Sequence, residues 1–380
     1  MFDYEIMRVI WWVLLGVLLS GFAIMDGFDW GVLALLPIVA KKDTQKRVLL
    51  NSVGAVWEGN QVWIILGAGA IFAAWPTIYA VTFSGFYLAM LLVLLTMIIR
   101  PVGFKYRSKI THPFWRTAWD CALTFAGWVG PLVFGVAVGN VMLGVPFDFT
   151  ADMHFVYRGT FFGLFTPWTL YCGVMAVALF VMQGAYYLMT KTSGDIYARA
   201  RSVSRIATLV VLALFLAGGI CVMHLNGYVL SQPVDHFAPS SPLNKLVATQ
   251  QGQWLENFRQ IHWLIIVPAL GVIALLFALV AKKQSSMMQK LCLVLSSVGI
   301  FCVISTVGLS MFPFILPSSL NPNHSLLVWD ASSSLMTLRL MLFATVIFLP
   351  VILAYTAWVY RVMRGKWGES DIEKNEQSVY

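Results

Sequence analysis

LAMLLVLLTMII, residues 88 to 99, is twelve consecutive residues without a charge and without alternation. A hydrocarbon core of about 30 Å needs about 20 apolar residues per helix, and the run extends into such a span from 78 to 99, closing at Arg100. Eight further stretches read the same way: 9 to 38, 52 to 73, 117 to 142, 160 to 189, 203 to 228, 260 to 281, 288 to 313 and 335 to 360. Outer-membrane strands would alternate over roughly ten-residue segments, and these runs do not. The expectation is an all-α integral membrane protein of nine transmembrane helices, two four-helix bundles plus one extra helix.

Composition points the same way. Of 380 residues 59% are hydrophobic and 11% charged, against about 25% charged in soluble domains, so a water-soluble fold is excluded. The net charge of +8 is explained by where it sits. Lys41, Lys42, Lys46 and Arg47 follow the first span. Arg100, Lys105, Arg107, Lys109 and Arg116 follow the third, Lys191, Arg199, Arg201 and Arg205 the fifth, Lys282, Lys283 and Lys290 the seventh, and Arg361, Arg364, Lys366 and Lys374 the last. That puts 20 of the 25 Lys and Arg on alternate loops; only Arg8, Arg158, Lys245, Arg259 and Arg339 fall on the other side. Basic residues mark cytoplasmic loops, so the expected topology has a periplasmic N-terminus and a cytoplasmic C-terminus. The basic excess is a topology signal and implies no nucleic-acid partner.

Residues 1–361 read as one transmembrane domain and 362–380 as a short cytoplasmic tail. Residues 1 to 8 carry Asp3, Glu5 and Arg8 with no small-residue cleavage site after them, so no removable signal peptide is expected. The five cysteines lie inside spans without CxxC spacing, which supports neither a disulfide framework nor a metal site. Trp11, Trp12, Trp75, Trp329 and Trp358, near span ends, read as interfacial aromatics.

Ionisable residues at membrane depth are expensive and are functional candidates by default. They are Asp26, Asp29, Glu58, Arg100 and Asp120. The basic turn between the first two spans centres near residue 44; Asp29 lies fifteen residues before it and Glu58 fourteen after. At 1.5 Å rise per residue both lie roughly 20 Å from the turn, at one height. Arg100 and Asp120 are each ten residues from a turn centred near 110, which predicts a structural ion pair between them. Glu58, Gln61 and Ile65 share a face, with Trp57, Asn60 and Trp63 beside it. A carboxylate desolvated without a fixed countercharge takes up and releases a proton near neutral pH, which makes Glu58, with Asp29, Gln61 and Trp57, a candidate proton path. Asp26 is a second-rank buried acid. The alternative is that these acids are hydrogen-bonding groups between helices.

Bis-imidazole haem binding needs two facing histidines at membrane depth. His112, His154, His236 and His324 fall in loops, and His224 and His262 lie near the outer ends of their spans, so no redox centre is expected on this chain alone.

DGFDWG at 26 to 31, WEGNQVW at 57 to 63, FSGFYLAM at 83 to 90, RPVGFKYRSK at 100 to 109, WRTAWD at 115 to 120, MFPFILPSS at 311 to 319 and WDASSS at 329 to 334 resemble subunit II of cytochrome bd-type quinol oxidases. The resemblance runs in order along the whole chain. It implies a heterodimer in a bacterial inner membrane. A haem-bearing subunit I would ligate haem b558, haem b595 and haem d and carry the periplasmic quinol site. Electrons from quinol would reduce oxygen to water, with cytoplasmic protons consumed so as to generate a membrane potential. Subunit II would then stabilise its partner and line part of the proton route. A structural quinone, membrane lipid and small single-helix accessory subunits belong to the same picture. In the family's WDGNQVW motif the carboxylate belongs to the proton route; here that position is Glu58, one methylene longer. Trp63, Gly67 and Gly69 either border an apolar gas path or let helices pack closely. A secondary transporter or proton channel is the alternative from another class, although the spans show no convincing inverted repeat. A passive assembly scaffold is a third reading.

Overall fold

A computed structural model of the chain describes residues 3–281 and 285–368. Lys282, Lys283, Lys374 and most of the 362–380 tail lie outside the described residues. Among those described, eight helices are long and apolar enough to cross a membrane. They are α1 (Tyr4–Val39), then α6 (Tyr87–Tyr106), α7 (Pro113–Leu143), α8 (Pro167–Lys191) and α9 (Gly194–Val222), the segment His262–Val280 whose body is α11 (Ile266–Val280), then α12 (Ser286–Met311) and α13 (Leu335–Val362).

The expected span 52 to 73 is not one helix. It is split into α2 (Asp43–Gly54), the single turn α3 (Trp57–Asn60) and α4 (Val62–Ala74), and α5 (Pro76–Gly85) follows. Gly54, Gly59 and Asn60 are weak helix formers set inside an apolar run. Pro76 ends α4 because the residue before a proline is pushed out of the α region, and Trp75 sits at φ −137°, ψ 71°. Hydropathy reads only how apolar a stretch is, so it joined these pieces.

Elsewhere the local signals and the helices agree. Thr166 caps α8 in a reciprocal box with Thr169, with Pro167 in the first turn. Ser285 and Ser334 accept from the third residue of α12 and α13. Gly144, at φ 92°, ends α7.

Helices α1 and α8 run side by side at the centre. A Cβ on Gly31 would lie 1.9 Å from the Phe180 carbonyl oxygen, and one on Gly184 2.6 Å from the Gly31 carbonyl carbon. The two backbones touch, as small residues allow in membranes, where there is no water to drive association and close packing must supply it. Gly127 against Ala34 and Gly135 against Cys172 bring α7 onto α1 and α8 in the same way. Helices α6 and α7 flank one side of this pair, and α9, α11 and α12 the other; α13 lies outside, against α1 and α4. Most of α13 is exposed apolar side chain.

The long connections opposite the basic end are ordered. They form three antiparallel hairpins: β1 (Phe147–Phe149) with β2 (Phe155–Tyr157), β3 (Asn226–Leu230) with β4 (Val247–Gln251), and β5 (Phe314–Leu316) with β6 (Leu326–Leu327). Arg8, fully buried, stitches them to α1 by donating to Ser332 Oγ at 2.7 Å and to the carbonyls of His236 and Ala238 at 2.7 and 3.1 Å. Three of the tryptophans expected at the interface belong to this packed cap. Trp11, Trp75 and Trp329 are buried, and the indoles of Trp11 and Trp75 donate to the carbonyls of Leu338 and Val328. Only Trp358 of the five is strongly exposed, at 58%.

Candidate functional site

The basic end and the deep acids form two separate charge clusters. At the basic end Arg107 donates to both oxygens of Asp120, at 2.5 and 3.1 Å, and to Asp43 at 2.8 Å. Lys46 reaches Asp120 at 2.9 Å and Arg116 reaches Asp43 at 2.7 Å. The predicted pair between Arg100 and Asp120 is therefore not formed: Asp120 belongs to Arg107 and Lys46. Equal depth from a turn leaves the bearing around the bundle open, and Arg100 turns to α1 instead.

There Arg100 meets Asp26. Its two terminal nitrogens donate to Oδ1 at 2.5 Å and Oδ2 at 3.0 Å, and both side chains are fully buried. Trp30, one turn from Asp26 on α1, donates its indole N–H to Asp26 Oδ2 at 2.7 Å and presents its ring 4.4 Å from the guanidinium carbon. The bidentate fork suits a carboxylate, and an aromatic face suits a desolvated cation. Asp26 is thus the fixed partner of Arg100.

Asp29, three residues on, is held differently. Its Oδ2 lies 3.9 Å from the Arg100 guanidinium and accepts a hydrogen bond from Asn60 Nδ2 at 2.8 Å. Its Oδ1 finds no partner among the described residues. Tyr360, from α13, donates to Asn60 Oδ1 at 2.8 Å, which fixes the amide with its NH2 toward Asp29. The cluster therefore sets two carboxylates around one guanidinium in a fully buried site, and Asp29 is the less neutralised of the two.

Asn60 stands on α3, two residues from Glu58, so Asp29 and the WEGN turn do share a level. Direction is another matter. Trp57 and Asn60 take the inward face of this single turn, with Trp57 buried against Phe104 at 5.5 Å between ring centroids. Glu58, lying between them, points outward and is exposed, and Ile65 on its face is 59% exposed, with Gln61 half-buried. Glu58 is consequently not a buried carboxylate within this chain. An ionisable group on an apolar outer face at helix depth needs a neighbour or water to solvate it.

Trp63 lays its ring over Gly21 of α1, where a Cβ would come within 2.4 Å. Gly67 is buried with only Leu19 nearby, and Gly69 faces open space. Close packing thus accounts for Gly21 better than for Gly67 or Gly69.

The histidines lie toward helix ends and loops. His112 precedes α7, His224 follows α9, and His262 opens the turn before α11. His236 lies 2.7 Å from Glu5 and His324 2.5 Å from Asp148, in connections remote from the basic end. None of the six stands in the middle of a membrane-length helix.

Tyr360 and Asp43 are site residues that the sequence reading passed over; it set Asn60 beside the Glu58 face without a role and read Arg107 and Lys46 only as loop charges. Asn60 was legible in principle, at i+3 from Trp57 on a one-turn helix. Nothing in the sequence links Tyr360, three hundred residues away, to it.

The model of the family described as "Cytochrome bd terminal oxidase subunit II" matches residues 7–363. The chain is 47% identical over 380 residues to the probable cytochrome oxidase subunit 2 of Haemophilus influenzae, and 46% identical over 381 residues to cytochrome bd-I ubiquinol oxidase subunit 2 of Escherichia coli K12, covering 100% of both chains in each case. It is 28% identical over 355 residues to cytochrome bd ubiquinol oxidase subunit 2 of Bacillus subtilis, covering 93% of this chain and 95% of the relative. The solved bd oxidase from Geobacillus thermodenitrificans shares the fold, with a TM-score of 0.67 at 14% identity over 94% of this chain and 98% of that one. With the family model matched from Met7 to Met363 and full-length relatives at 46–47% identity, this chain belongs to the cytochrome bd terminal oxidase subunit II family.

Proposed function

We propose that this chain is the haem-free second subunit of a quinol:oxygen oxidoreductase in a bacterial inner membrane, with its N-terminus periplasmic and its C-terminus cytoplasmic. It stabilises a haem-bearing subunit I, which ligates haem b558, haem b595 and haem d, and it contributes to the proton path from the cytoplasmic side. The haems supply the electron transfer and oxygen chemistry in the partner. What this chain supplies is a scaffold and proton-carrying groups at depth.

The observation that carries this reading is the unequal sharing of Arg100. Asp26 neutralises the guanidinium, which leaves Asp29 with a hydrogen bond from Asn60 and an unpartnered oxygen. A carboxylate so placed relieves its uncompensated charge by accepting a proton. Asn60 joins it to α3, whose outward Glu58 is the carboxylate that the partner subunit covers and connects. In that arrangement Glu58 hands protons across the subunit boundary, Asp29 buffers them inside, and Gln61 and Trp57 border the passage.

The test is made on the assembled oxidase. Purification must yield a second large membrane subunit and haem absorbance; a colourless protein that stands alone rejects the oxidase reading in favour of a transporter or channel. Glu58→Gln and Glu58→Leu are then expected to slow quinol oxidation about a hundredfold, the scale of a lost general acid–base group, with haem content near normal. Unchanged turnover would leave Glu58 a scaffold residue.

A further inference from the structure

Helix α13 lies at the edge of the bundle, and its apolar side chains gain little by leaving lipid for protein, because lipid tails are as apolar as they are. Contacts at its two ends set its place. At the outer end Leu335, Leu338, Met341 and Leu342 pack into the cap, and the Leu338 carbonyl accepts from the Trp11 indole at 3.0 Å. At the basic end Val359, Tyr360 and Trp367 pack against the inner core. Val359 and Tyr360 belong to the last turn of α13, whereas Trp367 lies beyond its final residue, Val362, on a strap formed by residues 363–367.

Lys191, the last residue of α8, holds this strap at both ends. Its backbone carbonyl accepts from the Trp367 N–H at 2.7 Å, and its ammonium donates to the Met363 carbonyl at 2.8 Å. Met363 is the C-cap of α13, where carbonyls lack partners inside the helix. Between the two, Lys366 lies 5.7 Å over the Tyr197 ring of α9, and the Trp367 ring is half-buried. The Lys191 ammonium also lies 5.9 Å over Tyr187. Tyr187 donates its hydroxyl to the Ser52 carbonyl at 2.7 Å and stacks on Phe28 with ring centroids 3.9 Å apart. Phe28 immediately precedes Asp29 on α1. The strap is thus anchored on α8 where α8 packs against the stretch of α1 that carries Asp29.

Tyr360 stands one turn before the strap. It donates to Asn60 Oδ1 at 2.8 Å, and Asn60 donates through Nδ2 to Asp29 Oδ2 at 2.8 Å. An amide offers an acceptor at one end and donors at the other, so the phenol on its oxygen keeps the NH2 toward the carboxylate. Helix ends open more readily than helix centres, and an open last turn in α13 would release the phenol and let the amide rotate. We infer that the strap of residues 363–367 is a latch that keeps Tyr360 on Asn60, which makes Trp367 a positioning residue for Asp29. Its effect on turnover rests on the proton-path reading of Asp29, whereas the latch itself does not.

Two substitutions in the full chain, studied in the assembled oxidase, separate these statements. Trp367→Pro removes the N–H that Lys191 accepts and the packed ring; Trp367→Phe keeps the N–H and an aromatic ring. Hydrogen exchange of the amides of residues 359–363, read by mass spectrometry, is expected to quicken about fivefold in Trp367→Pro, the scale of one neutral hydrogen bond, and to stay near wild type in Trp367→Phe. Unchanged exchange in Trp367→Pro overturns the inference whatever turnover does. With haem content normal, Trp367→Pro is expected to slow quinol oxidation about fivefold, and Trp367→Phe to keep the wild-type rate. In an Asp29→Asn background Trp367→Pro should add less than about twofold, because it acts through Asp29. A further fivefold loss in that background overturns the positioning role. Quickened exchange together with wild-type turnover in Asp29→Asn supports the latch and rejects the proton-path reading. Where Trp367→Pro lowers haem content, Lys191→Met takes its place, because it breaks only the side-chain bond to Met363. The same directions are expected there, and wild-type exchange in it overturns the inference.

Discussion

Arg100 holds Asp26 through hydrogen bonds of 2.5 and 3.0 Å, while Asp29 stands 3.9 Å from the same guanidinium. One cation thus serves two acids from α1, and the two acids are left in different chemical positions.

The first consequence concerns stability. Removing one partner of a fully buried pair strands the other charge, at a cost of about 3–5 kcal/mol. Arg100→Leu and Asp26→Asn are therefore expected to lower the yield of assembled, haem-loaded oxidase sharply, as read from haem absorbance per mole of complex. Full haem loading in both variants would show that the pair does not hold the fold together.

Asp29 answers differently. Asp29→Asn keeps the shape and a hydrogen-bonding partner for Asn60 while removing the titratable group. Assembly should survive, with turnover of quinol slowed about tenfold or more. If instead Asp29→Asn fails to assemble as Asp26→Asn does, the two acids share one structural role.

The contact between α1 and α8 predicts a contrast among glycines. A Cβ on Gly31 would meet the Phe180 backbone at 1.9 Å, whereas one on Gly69 meets nothing within 4 Å. Backbone against Cβ cannot be relieved by a rotamer change, so Gly31→Ala should destabilise the bundle by at least about 1–3 kcal/mol. Gly69→Ala should lie within about 0.5 kcal/mol of the wild type. Thermal inactivation of the purified complex compares the two, and equal midpoints would contradict the packing.

On the side opposite the basic end, Lys245 and Asp330 form a buried ion pair at 2.5 Å. Burial pushes the Asp330 carboxyl above its usual value, and Lys245 opposes that rise. Burial likewise lowers the Lys245 ammonium, with Asp330 opposing. An acid whose folded value is raised contributes stability that is full below its unfolded value, and this is lost as pH rises through the folded one. A depressed lysine contributes above its unfolded value, and loses that contribution as pH falls through the folded one. Within the pair each charge offsets the burial of the other. In Lys245→Met only the Asp330 contribution remains, so the cap should tighten as pH is lowered from about 7 to about 4. Hydrogen exchange of β4 and β6 amides across that range reads the effect; protection that falls toward acid would refute it.

Most of the membrane-length helices and the level of Asp29 could be read from the chain. Apolar length separates membrane helices from everything else, and it is a property of linear order. Counting residues from a turn placed Asp29 level with the WEGN segment for the same reason. The break at Trp57–Asn60 escaped that reading because hydropathy averages over a window and does not register a one-turn interruption.

The bearing of each side chain around the bundle is what only the tertiary structure decided. Arg100 and Asp120 lie at matching distances from their turn, yet Arg100 closes on Asp26 because α1 offers a carboxylate backed by the Trp30 indole. Glu58 faces outward because Trp57 and Asn60 occupy the inner side of a helix one turn long. Tyr360 reaches Asn60 from a helix that is otherwise peripheral. Depth is one coordinate and sequence supplies it; the angle about the bundle axis follows from which glycines let which backbones touch, and that is settled by packing.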